Sequence, residues 1–159
     1  MNIFVTDNCP IKSAKFLDDK RVVKMCLETA QILSSALRLN GYNGDDVYKL
    51  THKNHPVVIW AAKTRLNYLW LLEHFHALCS EYNTRYGREH ACSLKSLTFL
   101  KHAFIIPSGA LLPFENCAAN KSLGISYKDV YNTIEAYQLY LSERWEHDKR
   151  EPTWYGVSK

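Results

Sequence analysis

The stretch from Asp19 to Leu39 constrains this chain most, because it reads as one helix that is apolar nearly all the way round. At about 100° per residue, Lys20, Arg21, Lys24, Glu28, Gln31, Ser35 and Arg38 fall within one arc of roughly 100°. Val22, Val23, Met25, Cys26, Leu27, Ala30, Ile32, Leu33, Ala36 and Leu37 take almost everything else, with Thr29 and Ser34 as interruptions. A helix on a domain surface normally buries one stripe and exposes the rest. The inverted proportions predict a central helix, touched on most sides, with a single polar ribbon. Asn40-Gly41 supplies its stop.

Around that helix the chain reads as one all-α domain, residues 1–159, with 148–159 as an aromatic tail. The expected architecture is a compact bundle of three main helices plus short ones, with an extended N-terminal arm. Residues 2–6 are apolar and extended, either a buried arm or a lone strand without a partner. Pro10 suits the opening of a short helix through Leu17. A third helix starts at Asn54-His55-Pro56 and can run to Tyr86, where Gly87 ends it; its length leaves room for a break near Ser80–Asn83. A shorter helix covers Ser93 to His102, and Pro107 to Lys121 reads as loop. The last helix opens at Ser126, with Asp129 three residues on as an acidic capping box, and ends near His147. Val57, Trp60, Leu69, Trp70, Phe75 and Leu78, and then Ile134, Tyr137, Leu141 and Trp145, recur at helical spacing and form the core faces.

Composition narrows the classes. A net charge of +4 over 159 residues permits nucleic acid as a partner without demanding it. The five cysteines are odd in number and show no CxxC or CxxH spacing, which fits free thiols in a cytoplasmic setting better than a disulfide framework or zinc site. Cys26 and Cys79 lie among apolar helix residues and read as core. No uncharged run is long enough for a bilayer, and no signal-peptide pattern opens the chain. P-loop, GxGxxG, GxSxG and HExxH motifs are absent, so ATPase, dinucleotide, α/β-hydrolase and zinc-protease readings lose support, and no cofactor or metal is expected.

Two places carry candidate chemistry. The polar ribbon is either a solvated face, with Lys24 and Glu28 as an i,i+4 pair, or the lining of a cleft. In the second case Glu28 is a carboxylate held among cations, and Lys20, Arg21, Lys24 and Gln31 face phosphate. His52 and His55 crowd the start of the third helix, where anions are attracted; the alternative is an N-cap by Asn54 with incidental histidines. His74 and His76 point to different faces and make no chelating pair.

With these residues in hand the chain resembles a set of small phage-encoded proteins. They share an opening like Met1-Asn2-Ile3-Phe4, a core like Asp19-Lys20-Arg21-Val22-Val23-Lys24-Met25 followed by Glu28 and Gln31, and a Thr-His-x-Asn-His-Pro segment like residues 51–56. More distantly it resembles the phage pyrimidine-dimer DNA glycosylases, compact helical proteins with an Arg-Glu cluster on the first long helix and an aromatic tail, here Pro152-Thr153-Trp154-Tyr155. That resemblance implies base excision from DNA, in which an N-terminal amine attacks the sugar C1′ carbon to form an imine. It implies Glu28 as the acid/base residue, Arg21 and Lys24 as phosphate clamps, and Trp154 and Tyr155 at the base. One departure concerns the nucleophile: Asn at position 2 disfavours removal of the initiator methionine, so either Asn2 or Met1 carries the amine. Two alternatives stand beside this reading. One is a counter-defence protein that binds or degrades a small signalling nucleotide with the same ribbon plus His52 and His55. The other is a non-enzymatic interaction module.

Overall fold

The computed structural model describes residues 1–156, and six α-helices account for half of them. They are α1 (Pro10–Phe16), α2 (Asp19–Leu39), α3 (Pro56–Lys63), α4 (Arg65–Tyr86), α5 (Ser96–Lys101) and α6 (Thr133–Glu146). The only strands among the described residues, β1 (Ala119–Asn120) and β2 (Ile125–Ser126), pair antiparallel with Ala119 opposite Ser126. The protein is thus all-α, as its helical periodicities imply.

Helix α2 is the central rod, packed by α3 and α4, while α4 also carries α1. Val22, Met25, Cys26, Ala30, Ile32, Leu33, Ala36 and Leu37 are all buried, and Asn40 and Gly41 close the helix where the sequence places its end. Ahead of it, residues 2–6 run as an extended arm whose Ile3 and Val5 are buried in the same core. Phe4 takes a φ of 49°, unusual for a residue with a Cβ, and its ring stacks on Tyr140 at 5.8 Å. The carbonyl of Phe4 accepts from the Ser13 hydroxyl, whose oxygen in turn accepts from the Thr6 amide, tying the arm to α1.

Three boundaries differ from expectation. The long third helix breaks at Thr64, not near Ser80–Asn83. Thr64 is extended, its hydroxyl caps α4 by accepting from the Asn67 amide at 3.2 Å, and it donates to the Ala110 carbonyl at 2.8 Å. Buried Asn67 then bridges the Trp60 carbonyl and the Leu112 amide, both at 2.8 Å. The break therefore satisfies loose backbone groups on the loop that crosses it. The segment expected as one helix over Ser93–His102 is a 3-10 turn (Ala91–Lys95) leading into α5. The last helix begins at Thr133, capped by Asn132, and not at Ser126, which pairs in β2. Asn132 and Glu135 present a better cap than Ser126 and Asp129, since the Asn132 side chain accepts from the Glu135 amide at 3.1 Å.

The tail docks where α2 begins. Asp19 makes a buried ion pair with Arg85 at 3.1 Å, and its second oxygen accepts from the Thr153 hydroxyl at 2.7 Å and the Gly156 amide at 2.8 Å. A Cβ on Gly156 would stand 1.8 Å from the Arg85 carbonyl oxygen, and its φ of +78° is left-handed, so this approach requires glycine. Trp154 packs edge-on against Trp145 at 5.2 Å and donates to the Phe16 carbonyl.

Two outcomes follow from this packing. Arg85→Ala strands Asp19 and Glu81 beside a buried vacancy and lowers unfolding free energy by about 3–5 kcal/mol in a urea titration. His74 is buried on α4, where burial lowers its pKa to about 4 against the Pro10 carbonyl it contacts at 2.9 Å. The unfolded chain protonates this ring near pH 6.5 while the folded one does not. Stability is therefore full above about 6.5 and falls towards pH 4, by roughly 3 kcal/mol from this residue alone, and His74→Gln flattens that part of the pH profile.

Candidate functional site

The middle of the α2 ribbon meets the amino end of the chain. The Glu28 carboxylate accepts from the Asn2 backbone nitrogen at 3.3 Å through Oε2 and from the Lys24 ammonium at 3.1 Å through Oε1. Its side chain is 16% exposed whereas that of Lys24 is 73% exposed, so the pair sits at a rim with the carboxylate inside.

The Asn2 side chain fixes that nitrogen. Its Oδ1 accepts from the Ile3 amide at 2.8 Å and from the buried Tyr137 hydroxyl at 2.7 Å, and its Nδ2 donates to the Cys117 carbonyl at 3.1 Å. Both ends of the amide thus serve as anchors, and the backbone nitrogen of Asn2 faces Glu28. Met1 is half-buried against the core.

A third segment joins them. Ser35, one of the ribbon's polar residues, accepts from the Thr51 amide at 3.1 Å and donates to the Thr51 carbonyl at 3.2 Å, pinning residues 51–55 against α2. His52 has a φ of 49°, and its ring contacts the Thr51 hydroxyl at 2.7 Å. The cap of α3 is His55, not Asn54: His55 Nδ1 accepts from the Val57 amide at 3.2 Å. With Nδ1 used as an acceptor, a neutral His55 carries its proton on Nε2. Burial lowers the His55 pKa, and the chain amino terminus, His52 and Lys128 push the same way against the opposing charge of Glu28. That set of neighbours places Met1, Glu28, His52, His55 and Lys128 in one electrostatic group. Lys128 and Cys117 carry no motif of their own. They arrive through the β1–β2 hairpin, whose fold the local sequence does not announce.

The ribbon's two ends do other work. Arg38 donates to four carbonyls, those of Tyr42, Gly44, Val47 and Tyr48, and so holds the loop after α2. At the start of α2, Arg21 has a side chain only 7% exposed and pairs with Asp18 at 3.0 Å and Asp148 at 2.8 Å. Lys20 also pairs with Asp148, at 3.0 Å, but from an exposed position. Arg21 lies seven residues, about 10 Å of helix, from Glu28. Its charge is offset by two carboxylates, unlike that of Lys24. Gln31 stands one turn beyond Glu28, and its side chain makes no hydrogen bond among the described residues. Val23 and Leu27 are exposed beside Lys20 and Lys24, so the open face of α2 mixes apolar and cationic groups.

A cleft of about 730 Å³ does not lie over Glu28. It opens at the start of α2, between Asp19, Lys20, Tyr86, Arg144, Lys149 and Arg150. Trp154 lies near this end, and Tyr155 projects beyond it with 89% exposure. The expected site residues therefore form two groups on one helix: Met1, Asn2, Lys24, Glu28, His52 and His55 in the middle, and Lys20, Arg21, Trp154 and Tyr155 at the tail. Among the described residues no group of three or more ligating side chains is placed to hold a metal ion, and no helix is long and apolar enough to cross a membrane.

Tyr137→Phe leaves Asn2 Oδ1 and the Cys117 amide without their shared partner. It lowers stability by about 1–3 kcal/mol and speeds amide exchange at Ile3 and Phe4 more than in the middle of α4, as read by hydrogen exchange.

A family model described as pyrimidine dimer DNA glycosylase matches residues 1–94. The matched span holds the arm, the whole α2 ribbon, His52, His55 and α4, and leaves out Lys128, Tyr137 and the aromatic tail. No curated protein and no solved structure matches the chain.

Proposed function

From the premise that the chain belongs to the pyrimidine dimer DNA glycosylase family, we propose that it excises a damaged or modified base from DNA, with the reaction centred on Glu28 and the nitrogen of Asn2. The observation that carries this reading is the 3.3 Å contact between that nitrogen and the Glu28 carboxylate. On this reading the contact pairs a nucleophile with an acid/base group within an anchored frame.

With Asn2 as the nucleophile, the imine route needs its nitrogen as a free amine, because a peptide nitrogen has no available lone pair; it therefore needs loss of Met1. In that form the amine attacks C1′, the glycosidic bond breaks, and the base departs with a proton. Glu28 takes the proton that the attacking nitrogen loses and stabilises positive charge developing on the sugar. With Met1 in place, Glu28 serves the same carbon by activating a water, and no lyase step follows. Lys24 and Lys128 supply cations for the flanking phosphates, and His55 offers its Nε2 proton to one of them. Val23, Leu27 and Gln31 extend the contact face beside Lys24. Lys20 and the tail aromatics Trp154 and Tyr155 meet the nucleic acid further along the same helix. Arg21, already paired twice, orders the start of α2 and the Asp148 turn.

Glu28→Gln keeps the shape of the site and removes the charge. Excision from a duplex holding a single pyrimidine dimer falls by at least about 100-fold with the melting temperature little changed. Wild-type rates in that variant remove Glu28 from the mechanism. Borohydride trapping of a protein–DNA adduct, combined with intact mass, separates the routes: the adduct forms on protein that has lost Met1 and not on protein that keeps it.

A second reading draws on one observation: the roughly 730 Å³ cleft near Lys20 has the size of a small-molecule site. On it the ligand is a small nucleotide with its phosphates on Lys20, Arg144 and Arg150. A thermal-shift comparison decides between the two. Duplex DNA carrying the lesion raises the melting temperature more than any mononucleotide or dinucleotide if the first reading holds.

A further inference from the structure

The excision chemistry leaves one surface unexplained. From the 3-10 turn at Ala91–Lys95 the chain winds through α5 and into a second 3-10 turn, Ala103–Ile105. One side of this winding faces the core, where Cys92, Phe99, Ala103 and Ile106 are buried. The other side is apolar as well. Leu94, Leu97, Leu100 and Phe104, spaced three or four residues apart, are between 55% and 81% exposed, and nothing among the described residues covers them. A surface helix normally turns polar side chains to water. Single exposed leucines are ordinary, but four large apolar groups on one ridge are not.

The ridge is held from behind. The Tyr68 hydroxyl donates to the Phe99 carbonyl at 2.8 Å. Arg65 donates through Nη2 to the Phe104 carbonyl at 2.9 Å, and its amide donates to the Pro107 carbonyl at 2.7 Å. The apolar groups are therefore displayed on a fixed base. The family match ends at Leu94, where the ridge begins.

Charge narrows the occupant. Residues 94–104 contain no carboxylate. Lys95 donates to the Asp46 carbonyl at 3.0 Å and lies over the Tyr48 ring, and His102 packs on Tyr42 at 4.3 Å. Lys101 is the one cation in this stretch without a partner among the described residues. Nucleic acid and anionic membranes attract clusters of free cations, and one lysine is not a cluster. A nearly neutral apolar ridge suits a second ridge of the same kind. At roughly 200 Å² for each large apolar residue, the four expose on the order of 500 Å². Two copies face to face would bury about 1,000 Å² before any rim is counted, which is where specific interfaces begin.

We propose that this ridge is the contact between two copies of the chain, related by a two-fold axis near Leu97. The leucines of each copy lie in the groove beside those of the other, and the two-fold closes the contact so that no larger assembly grows. An interface of this size gives a reversible dimer with a dissociation constant in the micromolar range.

The test is sedimentation velocity on the full chain from about 1 to 500 µM. The expected result is a rise from the 18.4 kDa monomer towards twice that mass. Leu97→Glu weakens the dimer at least about tenfold, because it places like charges together at the axis, while its melting temperature at low concentration matches wild type. Leu139→Glu, at an exposed leucine on α6, leaves association unchanged. Leu97→Cys joins two copies through a bismaleimide linker, and Leu139→Cys does not. Wild type that remains monomeric at the highest concentration overturns the proposal, as does a dimer that survives Leu97→Glu. A monomeric wild type whose binding to phosphatidylglycerol vesicles or to duplex DNA is lost in Leu97→Glu also overturns it, since the ridge then serves that partner.

Discussion

The placement of Asn2 is the constraint on which the site depends. A chain end normally frays, because nothing repays the ordering of its first residues. Here an uncharged side chain, buried with Tyr137, has both its amide oxygen and its amide nitrogen in use. Ile3 and Val5 follow into the core, and Phe4 accepts a left-handed backbone so that its neighbours can do so. Each of these contacts would cost free energy if made alone. Together they hold one backbone nitrogen beside Glu28, on a helix that is itself packed on most sides. Rigidity is thus concentrated where a reacting atom must be positioned to a fraction of an ångström.

Electrostatics divide the ribbon by burial. Lys24, Glu28 and Arg21 share an arc on the helical wheel, yet the protein treats them differently. Asp18 and Asp148 come from the turn before α2 and the turn after α6, and they enclose Arg21 so that a buried cation is offset twice. Among the described residues Lys24 pairs with Glu28 alone, and its ammonium stays in solvent. The sequential likeness of the three residues hides this, since the partners of Arg21 include one more than a hundred residues away.

Much of the fold was legible from local signals. The ends of α2, the N-terminal arm, the Pro-initiated α1 and α3 and the Gly87 stop follow from periodicity and capping chemistry. What escaped was set by distant partners. Thr64 breaks a helix because the Ala110 carbonyl and Asn67 meet its hydroxyl, and Ser126 is claimed by Ala119 across a hairpin. The same holds for the site. Glu28, Asn2 and His55 stood out as residue types in suggestive positions, while Lys128 and Tyr137 depend on pairings between remote segments. Cys26 and Cys79 read as core; Cys26 is fully buried, whereas Cys79 is only half-buried.

The buried arm also bears on how this protein is handled in the laboratory. Residues fused ahead of Met1 would start one residue from the nitrogen that Glu28 contacts and would crowd the carboxylate. A preparation with an affinity handle at that end could fold well and melt normally while its reactive centre was covered. A handle placed at the opposite terminus leaves that entrance clear.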